Sequence, residues 1–230
     1  MRLGGVVIRI VIDPGHGGKG PGAAGNGLLE KNINLEISRR LAKNLSDYDV
    51  EVILSRDSDM YLDLAERCAM ANKVKAHYFC SIHVNSGGGT GFESYIYSGA
   101  KADTENLRNT VHGAVAAYLR DAGFVDRGKK KADFYVLRET IMPAVLLENL
   151  FIDHKIDAAS LKNPAFLDGL ARAITGGLAT ALGLQPKISP ASPPEKTGAT
   201  PVKTAATAGT SQARAFLAAK NPKAPDYVQI

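Results

Sequence analysis

The chain has 230 residues, 45% of them hydrophobic, two cysteines and a formal net charge of +5. That length and composition suit one ordinary domain with a real core and leave room for an appendage, and the absence of any run of 18 apolar residues excludes a membrane-spanning helix. The charge sits largely beyond residue 184, where six basic residues (Lys187, Lys196, Lys203, Arg214, Lys220, Lys223) face two acidic ones (Glu195, Asp226); a basic tail on a near-neutral body points to an anionic partner such as nucleic acid, membrane or cell-wall polymer, or to solubility alone, and the lack of interleaved aromatics counts against nucleic acid.

Residues 6–12 are β-branched and nearly continuous, as in a buried strand, and the Gly- and Pro-rich stretch 13–26 reads as loop. No charged, apolar and small-residue series resembling a signal peptide precedes them. A helix follows over 30–45, with Ile33, Ile37, Leu41 and Leu45 on one stripe. A short strand is expected at 50–54, a helix at 62–72 through Ala65, Cys68 and Ala69, a strand at 77–84 and an alternating strand at 91–97. Residues 102–121 read as a helix, the lysine run 129–131 as a solvated turn, and 133–137 and 144–148 as strands. Residues 164–182 form a last helix, with Phe166, Leu170, Ile174 and Leu178 in register.

Strands that alternate with helices predict an α/β domain with a mixed, largely parallel sheet of about six strands flanked by helices. The expected organisation is a catalytic domain over 1–184, a Pro/Thr/Ala/Lys-rich linker over 185–210 and a short helix-like stub over 211–230. Cys68 and Cys80 make no CxxC pattern and read as buried free thiols.

Three residues at strand ends and a helix start carry metal-ligand chemistry. His16 sits in the glycine-rich loop after the first strand, His83 at the end of the 77–84 strand, and Glu30 opens the first helix. Two imidazoles and one carboxylate form a set that holds a catalytic zinc and leaves a fourth position open. Taken alone, Glu30 reads more readily as a first-turn carboxylate that complements the helix dipole. Glu36, about 240° around the helix from Glu30, is expected to point elsewhere. Glu148 follows four apolar residues, where a carboxylate is costly unless paired or functional, and so reads as a general base. His77, His112 and His154 read as structural or exposed.

The motifs Ile12 to Gly18 (IDPGHGG), Glu30-Lys31 leading into Asn34-Leu35, Ser81 to Asn85 (SIHVN) preceded by Ser55-Arg56 and Arg67, and Pro143 to Glu148 followed by Phe151 appear in this order. With them the chain resembles the zinc-dependent, type-3 N-acetylmuramoyl-L-alanine amidases, bacterial and phage cell-wall hydrolases, over roughly 6–182. The resemblance implies one Zn2+ on His16, Glu30 and His83, Glu148 as the catalytic carboxylate and Asn85 lining the substrate groove. It implies peptidoglycan as substrate and an autolysin or endolysin acting at the cell wall; separately, a monomer is expected. Leu150 stands where the family often has glycine, and Asp153-His154 replaces a commoner Ser-Asn pair. A groove without the long insertion that blocks regulated relatives is expected to stand open. Rival readings are a non-catalytic wall-binding module and a zinc peptidase cutting within the stem peptide, and 211–230 faintly resembles the start of a second wall-hydrolase module.

Overall fold

In a computed structural model, residues 7–187 are described. Within them, strands and helices alternate as the hydrophobic periods dictate: β1 (Ile8–Pro14), a small hairpin of β2 (Ala24–Gly25) and β3 (Leu28–Leu29), α1 (Glu30–Leu45), β4 (Val50–Leu54), α2 (Leu64–Lys73), β5 (Tyr78–Asn85), β6 (Phe92–Tyr97), α3 (Ala102–Asp121), β7 (Asp126–Ala132), α4 (Tyr135–Arg138), β8 (Ala144–Phe151), α5 (Lys155–Leu161) and α6 (Pro164–Leu182). Six strands form one sheet in the order β4-β1-β5-β8-β6-β7. The first four run parallel, β6 runs against β8, and β7 follows β6. The mixed, largely parallel sheet expected from the sequence is therefore the one observed.

Side chains on a strand alternate between faces, and here the two faces bury two separate cores. Ile10, Ile12, Cys80, Ile82, Val145 and Leu147 pack with α1, α3 and α6. Val11, Phe79, Ala144 and Leu146 meet Cys68 and Ala71 of α2 and Val136 and Leu137 of α4. The stripe Ile33, Ile37, Leu41 and Leu45 is buried as its spacing requires, each side chain contributing about 1.5–3 kcal/mol. In α2 the buried face is Arg67, Cys68 and Ala71, whereas Ala65 and Ala69 face solvent, so the expected stripe is rotated. Cys68 and Cys80 are buried free thiols.

Two elements differ from expectation for one reason. The lysine run lies in strand β7, not in a turn, and residues 133–137 give the single helical turn of α4 rather than a strand. Once β7 takes the edge beside β6, the following apolar run has no strand to pair with and buries Val136 and Leu137 against the sheet instead. Lysines are what an exposed edge strand tolerates, because they oppose edge-to-edge pairing.

β8 continues three residues beyond Glu148, and its pairing with β5 shifts register between His83 and Asn85. Leu150, beside that irregularity, has φ 70° and is fully buried; this left-handed conformation is one that glycine adopts without steric cost. Gln185 and Lys187, at the start of the expected linker, bond the backbone of Asp49 and Asp47. The remainder of the linker, the 211–230 stub and the rest of the basic tail lie outside the described residues. Among the described residues no helix is long and apolar enough to cross a membrane.

Leu150→Gly relieves strain of about 1–3 kcal/mol but removes a buried leucine, a loss of about 2–5 kcal/mol by analogy with leucine truncation. The packing term is the larger. The substitution is expected to lower the midpoint of urea unfolding, and a raised midpoint would show that backbone strain dominates.

Candidate metal centre and buried carboxylate

The chain leaves β1 for β4 on one side and later enters β5 on the other. Ligands of open α/β sheets bind at such a reversal, outside the carboxyl ends of the strands. His16 follows β1 there, and His83 lies near the end of β5. Glu30 is the first residue of α1, whose start is fixed by the backbone bonds from Glu30 N to Ala23 O and from Lys31 N to Pro21 O.

His16, Glu30 and His83 converge as their separate positions in the sequence led one to expect, with one donor atom of each lying within 4.8 Å of the others. His83 Nδ1 is 3.0 Å from Glu30 Oε1, and His16 Nε2 is 3.2 Å from Glu30 Oε2. The imidazole rings stand edge-on with centroids 5.1 Å apart. Further bonds to Glu30 come from Ala23 N at 2.8 Å and Asn34 Nδ2 at 3.2 Å. Burial pushes the Glu30 carboxyl up, but the bonds from His16 and His83 outweigh it and hold the group well below its ordinary range. Glycine is required on both sides of the cluster. A Cβ on Gly15 would fall 2.2 Å from His83 Cε1, and one on Gly22, itself at φ 68°, would fall 2.5 Å from Glu30 Oε2. Zinc–nitrogen and zinc–oxygen bonds of about 2.0–2.2 Å suit donors this close, and two histidines with one glutamate are a hydrolytic donor set. The residues present therefore fit such an ion.

His16 itself has φ 62°, a conformation uncommon outside glycine, and two buried arginines hold it there. Arg67 donates to Asp13 Oδ1, Pro14 O and His16 O, each at 2.7 Å. Arg56 donates to Pro14 O at 3.0 Å, Gly15 O at 2.9 Å and Lys31 O at 2.8 Å. Asp13 also accepts from Ser55 and Ser81; burial raises its carboxyl, and Arg67 with these hydroxyls brings it below the usual range. The sequence assigned Asp13, Arg56 and Arg67 no role. The readable signal was Arg67 three residues after Leu64 and four before Ala71, a charge in an otherwise apolar helix face.

Glu148 lies directly across from His83 in the β5–β8 register and is 5% exposed. Its Oε2 is buried without a hydrogen-bond partner. Burial, then the nearby Glu30 and Glu93 carboxylates, push its pKa well above the ordinary value. Asn85 lies two residues past His83, half-buried, and donates to Glu93 Oε1 at 2.8 Å. Glu36 points away and pairs with Arg40. His77 accepts from Arg9 N, His112 lies between Ser94 and Asp126, and His154 caps α5, so none of these three joins the cluster. Beside His16 and His83 a cavity of about 390 Å³ runs past Tyr61, Leu62, Leu64 and Val136. A larger hollow of about 620 Å³ at edge strand β4 contains none of the converging residues.

Such a donor set at a strand-end switch point, with a partnerless buried carboxylate beside it, has the layout of a metal-dependent hydrolase. The family model described as N-acetylmuramoyl-L-alanine amidase (Amidase_3) matches residues 10–180, and the chain belongs to that family of peptidoglycan hydrolases. It is 50% identical over 181 residues to the sporulation-specific N-acetylmuramoyl-L-alanine amidase of Bacillus subtilis (strain 168), covering 78% of this chain and 70% of that one. With the endolysin of Bacillus phage SPP1 it shares 45% identity over 186 residues, 79% of this chain and 69% of the other. The solved N-acetylmuramoyl-L-alanine amidase from Clostridium difficile 630 superposes with a TM-score of 0.74 at 33% identity, covering 77% of this chain and 97% of that one.

Because the folded protein raises the Glu148 pKa above its unfolded value, the folded state binds the extra proton and stability falls as pH rises from about 4.5 toward the raised pKa. Glu148→Gln removes that penalty. It is expected to raise the unfolding temperature of the metal-free protein at pH 7, with the gain shrinking as the pH approaches 4.5. An unchanged or lowered melting temperature at pH 7 would contradict the burial argument.

Proposed function

We propose that His16, Glu30 and His83 hold one zinc ion and that Glu148 moves the proton while water cleaves the amide between N-acetylmuramic acid and L-alanine. The observation that carries this reading is the buried, partnerless Oε2 of Glu148 across the register from His83, since an unmet carboxylate oxygen is costly unless substrate or water completes it. When bound, the ion supplies Lewis acidity, making water a usable nucleophile near neutral pH and drawing charge from the scissile carbonyl.

The chain's own residues supply the rest. Glu30, fixed by Ala23 N and Asn34, holds the two imidazoles in register. Glu148 in its ionised form takes the proton of the attacking water, holds it the more readily because burial and the Glu30 and Glu93 carboxylates favour the protonated acid, and gives it to the departing alanine nitrogen. A C–O bond forms, the C–N bond breaks, and glycan and stem peptide separate as acid and amine. Asn85 lines the groove beside these groups. The cavity at Tyr61, Leu62, Leu64 and Val136 offers an apolar wall to a substrate lying beside His16 and His83.

Zinc-loaded protein is expected to release new alanine amino termini from purified peptidoglycan without new reducing sugar ends. Glu148→Ala should slow this about 10²–10⁴-fold while bound zinc, measured by atomic absorption, stays constant, whereas His83→Ala should lose the zinc. Chelation should abolish release and added zinc restore it. Binding to the wall without release would favour a binding module, and internal stem-peptide fragments would favour a peptidase.

A further inference from the structure

Glu148 is one member of a row. Across the sheet His83 faces Glu148, Glu148 faces Glu93, and Glu93 faces Gly128. Directly paired residues project to the same face, so Glu93 extends the line of side chains from β5 over β8 to β6. Glu93 is 3% exposed, and both of its oxygens are saturated. Oε1 accepts from Asn85 Nδ2 at 2.8 Å and from Tyr95 OH at 2.7 Å, while Oε2 accepts from Arg127 Nε at 2.8 Å and from Lys130 Nζ. Two cations thus share one carboxylate, and among the described residues neither has another ion-pair partner.

Both cations are held by more than charge. The Arg127 guanidinium lies 4.8 Å from the Phe151 ring centroid, and Lys130 Nζ lies 5.6 Å from that of Tyr95. Their side chains remain 26% and 37% exposed. An ammonium has three donors and a guanidinium five, so both keep N–H groups free after bonding Glu93. The row therefore ends in a positioned, accessible pair of cations carrying one positive charge beyond what Glu93 neutralises.

We infer that Arg127 and Lys130 form a carboxylate-binding subsite for the second residue of the stem peptide, one that distinguishes a free α-carboxylate from its amide. This rests on the amidase reading. In that reading the leaving nitrogen lies within reach of Glu148, which stands between His83 and Glu93; a peptide that departs over β8 toward β6 leaves the glycan side toward His16, Tyr61 and Leu62. Neighbouring strands are about 4.8 Å apart, which puts the Glu93 strand about 10 Å from β5. An extended chain advances about 3.3–3.6 Å per residue. The second residue thus falls about 7 Å from the scissile carbonyl, and a carboxylate on a short arm from it reaches the cations gathered at Glu93. That residue in peptidoglycan is a γ-linked D-glutamate, whose α-carboxyl stands off the main chain either free or amidated. The free form accepts charge-assisted bonds from both cations. The amide turns an NH₂ group toward N–H donors and carries no charge.

The test uses the full chain with zinc and two synthetic disaccharide–tetrapeptides that differ only in a free or amidated D-glutamate. Wild type is expected to favour the free carboxylate by about tenfold or more in kcat/KM, the scale of a charge-assisted bond. Lys130→Met and Arg127→Gln should each pull that ratio toward one, and Lys130→Arg should restore it. A wild-type ratio near one or in favour of the amide overturns the subsite whatever the variants do, so a variant that misfolds leaves the inference testable. Variants that fold and keep the wild-type ratio overturn it as well. If wild type cuts both substrates within the peptide rather than at muramic acid, the amidase reading itself fails, a result distinct from loss of discrimination.

Discussion

The buried ion pair between Arg67 and Asp13 is the contact on which the rest of the site depends. Both groups are almost fully removed from water, 3% and 1% exposed at the side chain, at 2.7 Å. Such a pair contributes little net stability, but loss of either partner is severe, because a buried charge is then left unmet. What the pair provides is position. The guanidinium that meets Asp13 also binds the carbonyls of Pro14 and His16, and Arg56 binds those of Pro14 and Gly15 from its other side. A loop with glycine at 15, 17 and 18 has too much backbone freedom to hold an imidazole by itself. The two arginines replace the stiffness that the glycines remove, and the glycines are needed because His83 approaches Gly15, and the Met60–Tyr61 backbone approaches Gly17 and Gly18, too closely for side chains.

The same edge of the sheet concentrates charges that ordinary cores exclude. Asp13, Glu30, Glu93 and Glu148 are all buried, yet three are held ionised by different means. Asp13 has an arginine and two serine hydroxyls, Glu30 has two imidazoles and backbone N–H groups, and Glu93 has a lysine, an arginine and a tyrosine. Only Glu148 has a buried oxygen without a partner, and its pKa moves the other way. Neighbouring carboxylates with opposite shifts divide the labour of a site: one fixed in charge, one free to exchange a proton. The sheet edge does not minimise its own energy, which is the expected mark of a functional region in an otherwise well-packed domain.

Most of the scaffold was legible because its helices carry their own period. The Ile33–Ile37–Leu41–Leu45 stripe and the apolar register of α6 specify elements whose ends the structure reproduces at residues 30–45 and 164–182. His16, Glu30, His83 and Glu148 were legible as a set of chemical types at strand ends and in motif order, although their convergence is a property of the sheet. The failures share a cause. β7 is a charged strand whose formation depends on the exposed edge of β6, and α4 is an apolar run denied a partner by β7. Neither fact is local. Glu93 was invisible for the same reason: its sequence neighbours Phe92 and Ser94 say nothing of Glu148, which faces it only once β6 and β8 have paired antiparallel.

That antiparallel pairing also sets how far the site can extend. In an all-parallel sheet the carboxyl ends of the strands would form the whole binding edge. Here β6 and β7 run the other way, so residues at their starts, Glu93 and Arg127, join the edge made by the ends of β5 and β8. The glycine-rich turn from Gly87 to Gly89 makes the reversal possible over few residues, and Asp153 Oδ2 ties it down by accepting from Gly87 N at 2.9 Å and Gly88 N at 2.8 Å. Asp157 secures the next step, accepting from Gly91 N and Phe151 N at 3.0 Å each. The rim residues Asp153 and His154 thus act on the site through backbone: Asp153 fixes the turn, and His154 bonds Asp157 at 2.8 Å. A change of residue type at this rim can therefore act on the Glu93 strand through backbone bonds without touching Glu93 or Glu148.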